Sequence, residues 1–402
     1  MADIIAPSQR TAKETVTYAV LMGISICHLL NDVMQSVLLA IYPMLKATYS
    51  LSFWQIGLLT MAFQVTASLL QPLIGLYTDK RSLPYSLPAG MACSLVGLVL
   101  LGWAESYAAL LVGSCFVGFG SAIFHPEASR VARMASGGRH GLAQSLFQVG
   151  GNLGTASGPL LAAFIVVPRG QGSIGWFSVV ALVGMVLLWN ISGWYVRTNR
   201  ANAGKPKPSR ELPLPRHKVL MAIGLLAMLV FTKHVYSTSL TSYYTFFLIH
   251  KFEVSLQTSQ ILLFVFLGAT AFGTLMGGPL GDRFGSKTVI WFSILGALPF
   301  TLALPYVDLF WTGVLTAVIG FIMASAFPAI VVFAQDLLPG RVGLVAGLFF
   351  GFAFGMGGIG AAVLGVLADS KGIDYVYSLT SFMPLLGLAT VFLPNLKAKR
   401  KA

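Results

Sequence analysis

Asp32 sits about midway along a long apolar run, and His28, Asn31 and Gln35 share its helical face through i, i+3, i+4, i+7 spacing. An ionisable group at such depth costs ~2.5–3.5 kcal/mol on insertion scales and is ordinarily turned toward a cavity or a partner. A carboxylate so placed can take up and release a proton, which makes Asp32 a candidate for proton coupling. A structural ion pair or a hydrogen-bonded core is the plainer alternative, and His28, Asn31 and Gln35 are expected beside a substrate. Lys233 lies at a similar depth in a later run, with Ser237, Thr241 and Tyr244 on its face and Tyr236 and Tyr243 close by. A cation among hydroxyls suits an anionic substrate; it can equally form a permanent bridge to Asp32, and the tyrosines can be packing or a water-interface belt.

His125, Glu127 and Arg130 gather toward the end of a third run, where Glu127 and Arg130 can pair at i, i+3. Such a group can hold a protonation switch, draw in an anion through Arg130, or anchor a loop. His125, just before Pro126, also fits a helix kink with its ring bonded to backbone. Gln144, Gln148 and Asn152 make an amide stripe at i, i+4, i+8, and Gln64, Ser68 and Gln71 make a second. Amides can bind the oxygens of a substrate without a fixed charge, or join helices at ~1 kcal/mol or less per bond. An enzyme is the rival class, because His28-x3-Asp32 and His125-x-Glu127 are possible acid–base or metal pairs. No nucleophile setting, H-E-x-x-H motif or paired cysteines accompany them, so no catalytic residue, metal or cofactor is expected.

The elements that must hold these residues are membrane helices. Of 402 residues, 56% are hydrophobic and 10% charged, against roughly 25% charged in soluble globular chains. That is too little charge to cover a water-facing surface. Continuous apolar runs exclude a β-barrel, whose spans alternate, and predict twelve helices at 17–45, 52–78, 84–104, 107–129, 141–166, 174–196, 218–248, 255–280, 288–305, 309–334, 342–368 and 373–394. The first run follows fifteen polar residues with no small-residue cleavage pattern and is expected to be retained. Cys27, Cys93 and Cys115 are isolated in apolar segments and are expected to be packing residues.

A formal charge of +13 would point to nucleic acid in a soluble protein. Here its placement matters more. Arg10, Lys13, Lys80, Arg81, Arg130, Arg133, Arg139, the cluster from Arg197 to Lys218, Arg283, Lys287, Arg341 and the tail from Lys397 fall on one side, against Lys46, Arg169, Lys251 and Lys371 on the other. By the positive-inside rule both termini lie in the cytoplasm, and no nucleic-acid partner is expected.

Residues 199–216 form a polar, proline-rich stretch that separates bundles 1–198 and 217–402. At an offset of 202 residues Gly118-Phe119 meets Gly320-Phe321, Pro126 meets Pro328, and Arg139-x-Gly141-Leu142 meets Arg341-x-Gly343-Leu344. At 203, Gly75-x3-Asp79-Lys80 meets Gly278-x3-Asp282-Arg283. Two six-helix halves of like orientation predict a pseudo-two-fold along the membrane normal and a site between them.

With these motifs the chain resembles the major facilitator superfamily over essentially its whole length. Gly75-Leu-Tyr-Thr-Asp79-Lys80 and Gly278-Pro-Leu-Gly-Asp282-Arg283 look like that family's loop motif and its copy, although Arg81-Ser82-Leu83-Pro84 departs from the pattern in the first. Gly154-x3-Gly158-Pro159 resembles the fifth-helix motif of its antiporters, and ordinary packing explains it as well. The segments His28 to Asp32, Phe124 to Gln144 and Leu348 to Gly358 resemble bacterial inner-membrane drug-efflux members.

The resemblance implies an all-α fold of two six-helix bundles, a small-molecule substrate, and proton-driven export of a small anionic phosphonate antibiotic. It also implies alternating access, with opening helices that bring Asp32 and Lys233 near a central cavity. Asp79, Asp282, Arg283, Gly154, Gly158 and Pro159 then serve gating. Import of organic anions or sugars is the competing reading, and a monomer is expected.

Overall fold

A computed structural model describes residues 16–51, 53–203 and 211–396. The polar leader, the middle of the linker and the basic tail from Lys397 lie outside them. All regular secondary structure among the described residues is helical. Ten helices among the described residues are long and apolar enough to cross a membrane. The third and fifth expected spans are the shorter helix Ser86–Gly102 and the run at 140–169.

Several spans carry breaks. The first helix, Tyr18–Ala40, stops before a short helix, Tyr42–Thr48, that has a proline in its first turn. The second contains a π turn at Val65–Leu69, and the fifth another at Ala162–Val166. The tenth divides at Ser325 into Leu309–Ala324 and Ala326–Leu337. In the fourth, Tyr107–Met134, Pro126 is accommodated inside the helix.

Leu73, Phe164, Trp189, Phe264, Phe310 and Val366 are exposed around the molecule, whereas His28, Asn31, Asp32, His125, Glu127 and Gln144 are buried. This inversion is what a lipid solvent demands: apolar side chains meet hydrocarbon and polar groups find partners inside.

The first and fifth spans pack tightly behind Asp32. Ser25 Oγ donates to the Leu146 carbonyl at 2.6 Å, and Ser36 Oγ to the Gly154 carbonyl at 3.2 Å. A methyl group on Gly154 would meet Leu29 and Asp32, and one on Gly158 would meet Ser36. The two glycines expected at a gate therefore close a seam within the first six spans, because close helix approach there needs small residues. Pro159 belongs to the same helical run, and its side chain is outside the described ones.

The second and eleventh spans cross at the linker end of the molecule, as do the fifth and eighth. Gly75 abuts Gly343, and Gly141 abuts Gly278, with no room for a β-carbon at any of the four. Along the eleventh span, Val342–Lys371, Gly347 and Gly351 also press on the second, against Gln71 and Ser68. Gly358, seven residues beyond Gly351 on the same face, has nothing within 4 Å of an added β-carbon. The two helices are joined at the linker end and splayed toward the far end.

Candidate functional site

Three titratable side chains from two helices converge in the first six spans. His28 and Asp32 come from one face of the first helix and His125 from the fourth, beside Pro126. His28 Nε2 lies 3.3 Å from His125 Nε2 and 3.4 Å from Asp32 Oδ2, while His125 Nε2 is 3.6 Å from Asp32 Oδ1. Asn31 Nδ2 and Gln35 Nε2 donate to Asp32 Oδ1 at 3.0 and 3.1 Å, and Thr155 Oγ1 lies 3.5 Å from Oδ2.

The backbone orients both imidazoles. His28 Nδ1 bonds the Phe147 carbonyl at 2.7 Å, and His125 Nδ1 bonds the Ser121 carbonyl at 3.0 Å. Phe147 stacks on His28 with centroids 4.1 Å apart, and Phe350 of the eleventh span closes over His125 at 5.1 Å. Asp32 is 6% exposed and both histidines are at 0%, so the cluster is sealed in this conformation. With both nitrogens of His28 engaged, that ring has no face open to a substrate here. Two imidazoles and a carboxylate whose ligand atoms lie within 4.8 Å of one another are also a donor set that fits a transition metal.

The approach of Lys233 to Asp32 is not seen. Among the described residues the ion pairs of Asp32 are with His28 and His125, and Lys233 Nζ instead lies 5.4 Å over the Phe327 ring. Phe327 meets Phe350 at 5.1 Å, so two aromatic rings stand between the lysine and the cluster. Lys233, Tyr236, Ser237 and Thr270 line a small cavity of about 20 Å³ in the last six spans. The buried Tyr236 hydroxyl is without a partner among the described residues. Tyr243 donates to the Ala361 carbonyl at 2.6 Å, and Tyr244 is bonded to Thr316 at 2.9 Å, which makes both at least partly structural.

The amide stripes divide. Gln148 Nε2 donates to Asn152 Oδ1 at 3.3 Å, and Asn152 in turn donates to Thr274 Oγ1 of the eighth span at 3.0 Å. Ser129 donates to Gln144 Oε1 at 3.1 Å and accepts from Gln335 Nε2 at 3.2 Å. The Asn152–Thr274 and Gln335–Ser129 bonds cross the boundary between the first and last six spans, as helix-joining amides do, whereas the other two stay within the first six. Gln64 ends the helix before the π turn and its carbonyl accepts from Ser68, while Gln71 Nε2 donates to the Ala67 carbonyl at 2.6 Å.

The linker end carries a second network. Glu127 pairs with Arg130 at 2.9 Å, and Arg130 pairs with Asp79 at 2.5 Å. Asp79 accepts from the backbone N–H groups of Gly343 and Leu344 at 2.9 and 2.8 Å, at the start of the eleventh helix. Asp282 repeats this on the fifth, accepting from Gly141 and Leu142 at 2.8 and 2.9 Å. Arg283 lies over Phe284 at 5.2 Å. Arg133 bonds Gln335 at 2.9 Å and Asp336 at 2.5 Å, a crossing that the residue pattern did not single out. Its only sequence signal is that Arg133 and Gln335 occupy matching repeat positions.

Helices, two-fold closure and a polar interior define a polytopic transporter, and the chain belongs to the Major Facilitator Superfamily, whose model matches residues 24–248 and 235–402. It is 57% identical over 389 residues to the Fosmidomycin resistance protein of Escherichia coli K12, covering 97% of this chain and 96% of that one. It is also 41% identical over 384 residues to the uncharacterized MFS-type transporter YfnC of Bacillus subtilis, covering 95% and 94%. Among solved structures the fold matches FucP in the outward conformation, with TM-score 0.74, 15% identity, and 96% and 100% of the two chains covered. The human organic anion transporter MFSD10 matches with TM-score 0.76, 17% identity and coverage of 94% and 99%. The protein is therefore a multi-pass membrane transporter for a small molecule.

Proposed function

We propose that the protein exports a small anionic antibiotic such as fosmidomycin from the bacterial cytoplasm in exchange for protons. The observation that carries the coupling half is the Asp32 carboxylate held beside two imidazoles in a sealed, non-aqueous setting. The substrate half is supported by the 57% identity to a protein named for fosmidomycin resistance, and by a lysine that no carboxylate neutralises among the described residues.

In this reading the chain is a monomer in the inner membrane with both termini cytoplasmic, as its loop charges favour. Bundles 1–198 and 217–402 rock about the linker 199–216. Closure at the linker end then belongs to the outward-facing side of the cycle: once Phe350 moves off the cluster, protons reach Asp32, with His125 and Glu127 in support, and reset the carrier. Lys233, Tyr236, Gln35, Gln148 and Asn152 receive the substrate when the bundles part. Each inward proton adds ~2.3 kcal/mol per 100 mV of membrane potential.

The test is fosmidomycin flux in proteoliposomes with an imposed pH gradient. Drug movement against the proton flow, abolished by collapsing the gradient, is expected. Flux indifferent to the gradient, or accumulation in the direction of proton flow as an importer of organic anions or sugars would give, overturns it.

A further inference from the structure

Both imidazoles are turned by the backbone so that their Nε2 atoms meet. A carbonyl oxygen only accepts, so Nδ1–H of His28 donates to Phe147 and Nδ1–H of His125 to Ser121. In a neutral ring this leaves the Nε2 lone pair free, and a carbonyl bond behind the ring is the usual support of a metal-ligating histidine. Asp32 divides its oxygens in the same manner. Oδ1 is held by Asn31 and Gln35 at 3.0 and 3.1 Å, whereas Oδ2 has Thr155 at 3.5 Å and faces His28 Nε2 at 3.4 Å.

The spacing selects among ions. Donors ~2.0–2.1 Å from a tetrahedral ion lie roughly 3.3–3.4 Å apart, whereas neighbouring donors at that bond length on an octahedral ion lie roughly 2.9 Å apart. His28 Nε2 is 3.3 Å from His125 Nε2 and 3.4 Å from Asp32 Oδ2, which are two edges of a tetrahedral face. His125 Nε2 lies 3.6 Å from Asp32 Oδ1, and one ligand atom from each side chain falls within 4.8 Å of the others, so a turn of the carboxylate closes the third edge. Gly151 of the fifth span keeps the place free: a β-carbon there would sit 2.5 Å from His28 Nε2 and 2.9 Å from Asp32 Oδ2. Two imidazoles with one carboxylate favour zinc or cobalt over magnesium or calcium, which take oxygen donors.

We propose that His28, His125 and Asp32 bind one zinc-class divalent ion, with a fourth coordination position left to water, and that the bound ion arrests transport. The binding stands on the geometry alone. The arrest rests on the proton-exchange reading, since a carboxylate engaged by a dication is withdrawn from proton exchange. Phe350 closes over His125 at 5.1 Å, so the ion enters and leaves when the eleventh span moves away.

The test uses the full chain, freed of any affinity tag, in lipid nanodiscs. Calorimetry with zinc chloride should give one ion per chain, and cobalt chloride should give the intense visible bands of a four-coordinate ion. His28→Gln and His125→Gln should each lower zinc affinity by roughly tenfold or more, while His250→Gln, at an exposed pair with Asp374, should leave it unchanged. No zinc bound, or an unchanged affinity in either correctly inserted cluster variant, overturns the site. Zinc-edge X-ray absorption on the wild type needs no variant: two imidazoles around the ion are expected, and one or none overturns the site. In proteoliposomes loaded with zinc and washed, gradient-driven drug flux should be lost and should return with a chelator. Full flux with zinc in place, in a proton-driven wild type, refutes the arrest. A wild type indifferent to the gradient refutes the proton-exchange reading and the arrest with it, and the calorimetry still decides the site.

Discussion

At the scale of single residues, the chemistry follows from burying ionisable groups where water cannot help them. Asp32→Asn keeps the shape and the polar neighbours yet removes the titrating oxygen. It is expected to abolish the proposed proton-driven efflux, measured in everted vesicles, while surface expression and insertion stay normal; unchanged drug resistance would defeat the assignment. Phe350 caps the histidine pair from the eleventh span and also separates it from Lys233 through Phe327. Phe350→Ala is expected to admit water, seen as faster deuterium exchange at the imidazoles, and to let protons leak without drug. A leak as low as that of the wild type would show that the ring is not the seal. Asp32 and its helical face were legible in the sequence because spacing on one helix is fixed by geometry. The contact of His28 with His125 was not, since it joins residues 97 apart, and the expected approach of Lys233 failed because two intervening rings carry no sequence signal of their position.

At the scale of elements, the linker end is held by helix termini rather than by surface charge pairs. Asp79 and Asp282 each accept two backbone N–H groups at the start of a helix, where partial positive charge and unsatisfied donors favour a carboxylate. Asp79→Asn is expected to weaken closure by about 1–2 kcal/mol, a population change of roughly 5–30-fold, readable as longer spin-label distances between the linker ends of the second and eleventh spans. Arg133→Ala should move the same distances little, because its pair with the half-exposed Asp336 belongs to a class worth about 0–1 kcal/mol. The reverse order of effects would show that the surface pair holds the closure. The repeat made these aspartates visible in sequence; which helix ends they reach depends on how the halves pack, which no single motif encodes.

At the scale of the whole molecule, the twelve-span architecture and the two-fold were legible because hydropathy and repeated motifs are properties of sequence itself. The state of the molecule was not, since tight and splayed junctions differ only in rigid-body placement. The glycine face of the eleventh span records that state: Gly347 and Gly351 are pressed on a neighbour, while Gly358 faces open space. An indole installed by Gly358→Trp would thus cost little in this conformation and act as a doorstop in the other. Such a variant should melt within a few degrees of the parent, yet abolish the proposed drug export in whole cells, its hinge wedged and its shuttle halted at one shore.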